Sequence, residues 1–137
     1  MSWRVFDYCD LRDRNVFDDW LTCLDGSNRA RIMSKLQAIH TYGGSGLPNM
    51  ITDTTEPRIK ELVLNTKQMA LRVFLCRGPV DVRTEITLLG GGREKDVKYV
   101  TTKPHITPNI AETYRQELFL NPSLRRKPHD FPEDNLG

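Results

Sequence analysis

Apolar residues recur along this chain with two different periods, and the changes of period mark out its elements. Trp3, Val5 and Tyr8 stand among charged neighbours in WRVFDYCD, which predicts a first strand, and the polar cluster DLRDRN predicts a turn after it. Asn15 suits a helix N-cap, with Asp18 and Asp19 in the first turn, where the helix dipole favours acids. The stripe Val16, Phe17, Trp20, Leu21 and Leu24 then has helical spacing, and Asp25-Gly26 ends it. Ser27 caps a second helix in which Ile32, Met33, Leu36 and Ile39 form the apolar face and Arg29, Arg31 and Lys35 the polar one. Gly43-Gly44 closes that helix. A short connection predicts an antiparallel helix pair. Residues 43–57, rich in Gly, Pro, Ser and Thr, read as a surface loop.

Three strand-length runs follow, IKELVL, ALRVFL and TEITLL. Alternation places Leu71, Val73 and Leu75 on one face of the middle run and Arg72, Phe74 and Cys76 on the other. This predicts an antiparallel meander with one face on a core and the other wet and basic. Gly90-Gly91-Gly92 lacks the spacing of a phosphate-binding loop and reads as a turn or bulge that breaks the last strand. It delivers Arg93, Lys95 and Lys98 to the sheet edge. Thr107 or Asn109 caps a final helix with Ile110, Tyr114 and Leu118 at spacing four. From Asn121 the periodicity is lost. The fold class expected is α+β, with one domain over residues 1–120 and a disordered tail over 121–137.

Composition narrows the class. Of 137 residues, 38% are hydrophobic and 28% charged, as in soluble globular proteins, and no apolar run approaches the ~18 residues of a membrane span. The N-terminus lacks the apolar core of a secretory signal. Three cysteines without a paired spacing argue against disulfides and a zinc site and for a reducing cytoplasm. The net charge of +2 conceals an asymmetry: residues 58–127 carry 14 Lys/Arg against 7 Asp/Glu, while both flanking segments are net acidic. That points to a polyanion, nucleic acid first, with a solvated basic face as the alternative. His40, at the end of the apolar stripe of its helix, reads as structural.

The order of strand, two helices, three strands and a last helix resembles the RelE/ParE superfamily of bacterial toxins, closest to its phage-derived, HigB-like branch. The resemblance rests on four pieces: the helix pair ending TYGGSGLP, IKEL opening the second strand, ALRVFL for the third, and TLLGGGREK leading to NIAETYRQEL. It spans roughly residues 3–120. Two departures fall on the face concerned with chemistry. Val63 stands where the family often has arginine, and Gly-Gly-Gly-Arg-Glu-Lys replaces Gly-Gly-Asp-Lys. The resemblance implies a RelE-like fold: an N-terminal strand, an antiparallel helix pair, a three-stranded meander completing the sheet, and a C-terminal helix. It also implies the toxin of a toxin–antitoxin pair, a cytoplasmic, ribosome-dependent mRNA endoribonuclease. Its partners would be the ribosome, mRNA and a helix-turn-helix DNA-binding antitoxin, with no membrane, metal or cofactor.

In such a hydrolase the ribose 2′-OH attacks its own phosphate, so a proton acceptor, a proton donor and cations at the charged intermediate are needed, and a Lys/Arg cluster can fill these roles. By resemblance the catalytic set is Lys60, Arg72 and Lys95. Lys60 is a phosphate clamp or base, or else a solvated strand-end lysine. Arg72 holds phosphate, or else pairs with a strand carboxylate such as Glu61 or Glu85. Arg93, Lys98, Tyr99, Lys103 and His105 are each ordinary exposed loop residues, or else together grip RNA, Tyr99 stacking on a base and His105 donating a proton. Arg125-Arg126-Lys127 belongs to the solvated tail or touches phosphate non-specifically. Two other readings remain open: a non-enzymatic inhibitor like the gyrase-blocking ParE members, and an inactive binding or regulatory protein on the same scaffold.

Overall fold

The computed structural model of the protein describes residues 3–42, 51–67 and 69–131. In chain order it contains β1 (Arg4–Tyr8), α1 (Val16–Thr22), α2 (Gly26–Tyr42), β2 (Ile51–Asp53), β3 (Lys60–Asn65), β4 (Ala70–Arg77) and β5 (Glu85–Lys95). After these come β6 (Lys98–Tyr99), α3 (Pro108–Leu120), α4 (Pro122–Arg125) and β7 (Arg126–Pro128). The architecture is α+β, with a mixed sheet ordered β2-β3-β4-β5-β1-β7 and β6 laid against β5. β1 runs parallel to β5, Val5 opposite Ile86, and the other pairs are antiparallel.

Local chemistry accounts for the helices. The Asn15 side chain accepts from the Asp18 amide at 3.0 Å, as its position before the apolar stripe predicts, and α1 buries Phe17, Trp20 and Leu21. α2 starts one residue earlier than Ser27. Asp25 is its cap, the Asp25 carbonyl accepting from Arg29 N at 2.9 Å and its carboxylate from Asn28 N at 3.3 Å. Ile32, Leu36 and Ile39 form the buried stripe. The Gly43-Gly44 stop lies outside the described residues. Part of the expected loop over 43–57 is a strand: Ile51–Asp53 pairs with β3, Ile51 opposite Leu62.

The alternation along β4 is as expected, but both faces of the sheet are covered. Leu71, Val73 and Leu75 join Trp20, Leu36 and Ile39 in one core. Phe74 and Cys76 join Tyr8, Leu89, Ile106, Ala111 and Leu118 in a second. The expected wet face is instead the floor for α3, whose Ala111 and Leu118 are fully buried.

The three glycines do not break the last strand. β5 continues through them for 11 residues. Phe74 pairs with Gly90 and Leu75 with Leu88, so Leu89 is the extra residue of a bulge and the alternation changes phase there. Gly90 holds φ +142°, and a Cβ there would lie 2.7 Å from Ile106 Cδ1. At Gly91 a Cβ would overlap the Trp20 indole ring outright. Glycine is required because α1 and the loop after β6 approach the backbone from opposite sides.

The expected disorder after Asn121 does not hold for residues 121–131, and the sheet extends beyond the expected domain boundary at 120. β7 adds to the free edge of β1, Phe6 opposite Pro128. Two polar groups fix it. Fully buried Glu85 takes Arg4 and, at 2.8 Å, Arg126. His129 Nδ1 lies 2.7 Å from Asp7 Oδ1, while Asn15 Nδ2 donates to the other Asp7 oxygen at 2.8 Å. Arg126 also lies over the Phe6 ring at 4.0 Å. Arg125-Arg126-Lys127 is therefore a structural segment in part. Residues 132–137 lie outside the described residues.

Gly91→Ala is expected to cost on the order of 3 kcal/mol, because neither the indole nor the strand can retreat; urea unfolding checks this. Burial alone would raise the Glu85 carboxyl, but hydrogen bonds from Arg4, Asp81 N and Arg126 together hold it below the usual carboxylate range. A depressed folded-state pKa gives stability that is present above the unfolded value near 4.5 and lost as pH falls through the folded value. Glu85→Gln should thus lower stability at pH 7 by on the order of 2–4 kcal/mol. The deficit should shrink as acid unfolding is approached, and unfolding curves at several pH values read both effects.

Candidate nucleic-acid interface

The phase change in β5 decides where the basic residues go. Past the bulge, Arg93 pairs with Leu71 and lies on the α1–α2 side, whereas Glu94 pairs with Ala70 on the α3 side. β5 turns into β6 with Lys95 opposite Lys98 and Glu94 opposite Tyr99. The chain then folds back, Val100 N donating to Arg93 O at 2.7 Å and Ile106 N to Gly91 O at 2.9 Å. Arg93, Lys95, Lys98, Tyr99, Lys103 and His105 are thereby brought to one end of the sheet. Lys95, Lys98 and Lys103 are exposed, and the acids in the stretch are Glu94 and Asp96.

His105 is oriented from below. Its Nδ1 accepts from Trp20 Nε1 at 3.1 Å, which requires the ring proton on Nε2 in the neutral form. Burial, and secondarily the Arg93 guanidinium, hold its pKa below the ordinary histidine value. At neutral pH it is a neutral hydrogen-bond donor facing a cleft of about 290 Å³, shared with Asp10, Arg14, Asp19, Lys103 and Tyr114. Such a group can hold a phosphate or sugar oxygen.

Arg72 is half-buried and engaged. It pairs with Glu61, and its Nε stands 3.3 Å from Glu94 Oε2, in ion-pair range without a hydrogen bond. Burial raises the Glu61 carboxyl pKa against the pull of Arg72, and Glu61 Oε2 has no protein partner. Tyr99 completes the group, its ring 6.1 Å from that of Phe74 and its phenol pKa raised by burial and then by Glu61. Of the two roles open to Arg72, the structure realises the strand-carboxylate pair. Glu85, the other acid considered for it, serves Arg4 and Arg126.

Lys60 stands apart. It is opposite Leu75 and pairs with Asp53, whereas Arg72 is opposite Val63, three rows away. Lys95 lies beyond the Glu94–Ala70 pair, roughly 17 Å or more along the strand from the Lys60 row. Lys60, Arg72 and Lys95 therefore do not converge on one phosphate. Lys60 instead belongs to a second basic cleft of about 430 Å³ with Arg58, Arg77, Arg115 and Phe119. Arg115 is neutralised there by Glu112 through two bonds of 2.7 and 2.8 Å. Burial pushes the Cys76 thiol in its wall up to about 12, which removes it as a nucleophile.

Sequence reasoning named Glu61 as a partner of Arg72 but missed Glu94, and it missed the Trp20–His105 bond, whose partners are 85 positions apart. It also missed Arg58, Arg77 and Arg115, which no local spacing relates. Among the described residues no group of three or more His, Cys, Asp or Glu could hold a metal, and no helix is long and apolar enough to cross a membrane. Comparison of the chain with protein-family models, with curated proteins and with solved structures finds no match.

The His105 resonance should titrate below the ordinary value of 6.5 in an NMR pH series, and Arg93→Gln should move its midpoint upward. Because the folded-state pKa is depressed, the stability linked to His105 is complete above 6.5 and declines as pH falls through the folded value.

Proposed function

We propose that the protein is a toxin of the RelE/ParE type that engages RNA at the β5–β6 end of its sheet and cuts mRNA on the ribosome without a metal. The gathering of Arg93, Lys95, Lys98, Tyr99, Lys103 and His105 at that end carries the reading. The placement of β1 parallel to the last long strand, with α1 packed on β5 and α3 on the opposite face, also supports a RelE-like arrangement.

In this reading Lys95, Lys98 and Lys103 grip the backbone and Arg93 neutralises the charge that develops as the 2′-oxygen attacks phosphorus. His105 donates a hydrogen bond from Nε2–H to a phosphate oxygen, while water takes the 2′-OH proton and a lysine ammonium protonates the 5′-oxygen as its bond to phosphorus breaks. Arg72, held between Glu61 and Glu94, positions Tyr99 and the strand end. An antitoxin with a DNA-binding domain would restrain the toxin by covering this end.

A second reading is favoured by the separation of Lys60, Arg72 and Lys95: a binding inhibitor on the same scaffold, without nuclease chemistry.

Induced expression in bacteria separates the two, with growth and the 5′ ends of translated mRNAs as readouts. The proposal expects arrest with new ends inside coding regions. Both should weaken by about 10-fold or more in Lys95→Ala/Lys98→Ala, whose side chains are exposed. Arrest without new ends selects the binding inhibitor. Absence of arrest from folded protein removes the toxin reading.

A further inference from the structure

The tip of the β5–β6 hairpin is built against the usual rules of turns. Lys95 pairs with Lys98, leaving Asp96 and Val97 as a two-residue connection, with φ +53° and +66°. Positive φ at both central positions is the type I′ signature, for which Asn-Gly is the favoured pair. Asp tolerates that region, but a β-branched residue there is strained. Val97 is also 91% exposed, the highest value among the exposed large hydrophobics of the described residues. Neither the strain nor the exposure contributes to the fold, and Gly at 97 would remove both.

Its surroundings indicate a partner. Lys95 and Lys98 flank the two-residue turn that holds Val97, and Arg93 lies two residues before Lys95 in the same strand. Of the two acids, Glu94 stands 3.3 Å from Arg72, leaving Asp96 as the single unpaired carboxylate at the tip. No other large hydrophobic between residues 93 and 103 is exposed, so the tip lacks the contiguous apolar area that a protein interface centres on. A lone apolar side chain projecting between cations is the format of a wedge set against bases while its flanks hold phosphates. We propose that Val97 is a wedge that inserts against or between the bases of a single-stranded RNA, with Lys95 and Lys98 on the adjoining phosphates. This rests on the RNA reading above and adds to it a residue that no basic-patch argument selects.

The test uses the full chain and a short 2′-O-methyl RNA, which cannot be cut through its 2′-oxygen, with fluorescence anisotropy and thermal unfolding as paired readouts. Val97→Gly is expected to raise Tm by relieving the turn while weakening RNA binding by about fivefold or more. Val97→Leu should keep the affinity and Val97→Asn should lose it. The salt dependence of binding should be unchanged in all three, whereas Lys95→Ala/Lys98→Ala should reduce its slope by about 1.4. Tight binding by the wild type with equal binding by Val97→Gly overturns the wedge and leaves the RNA reading standing. A fall in Tm for Val97→Gly also overturns it, since Val97 would then serve the fold. Failure of the wild type to bind the RNA overturns the wedge, the toxin reading being decided separately by growth arrest and mRNA 5′ ends, and Val97-dependent capture on anionic vesicles in its place would assign the tip to a lipid surface.

Discussion

The contact of the Trp20 indole with the bare backbone of Gly91 is the constraint on which the remaining structure depends. It seats α1 directly on β5, the strand that carries β4 on one edge and β1 on the other. Because the ring lies so close, its N–H reaches through to His105, which orders the loop that covers the opposite face beside Gly90 and Ile106. Trp20 thus serves the first core through its ring and the loop before α3 through its N–H. Fully buried and 6.0 Å from the Phe17 ring, it also secures the short helix α1, which at 7 residues has little stability of its own.

What was legible in the sequence was what neighbouring residues decide. The Asn15 cap, the stripes of α1 and α2, and the alternation of Leu71, Val73 and Leu75 against Phe74 and Cys76 all follow from local spacing and all stand in the structure. His40 is structural as read, its Nδ1 bonded to the Trp3 carbonyl at 2.9 Å and its ring stacked on Phe131. What was illegible needed a distant partner. Glycines weaken an isolated strand, and only Trp20 and Ile106 explain why β5 keeps them. The segment after Asn121 carries no periodicity; its order comes from Glu85 and Asp7, 41 and 122 positions before Arg126 and His129.

The site shows the same division more sharply. The residue types were legible and their convergence was not, because register rather than composition decides which face each cation takes. Leu89, the one unpaired residue in β5, moves everything after it by one step, sending Arg93 to the side of α1 and Glu94 to Arg72. The need of Arg72 for a carboxylate was foreseeable from its place in a strand, but the second acid beside it becomes visible only with the bulge.

The position of β1 has a consequence for biogenesis. Its two hydrogen-bonding edges are taken by β5 and by β7, the later-made parts of the chain, and Arg4 meets its carboxylate partner 81 positions downstream. At roughly 5–20 residues per second of synthesis, the first strand waits on the order of seconds before either neighbour has been made. During that interval α2 and the β2–β3–β4 strands can form from near-neighbour contacts. The two-sided sheet closes last at its oldest strand, so activity that depends on this sheet is withheld from the nascent chain until synthesis has passed the residues of β7.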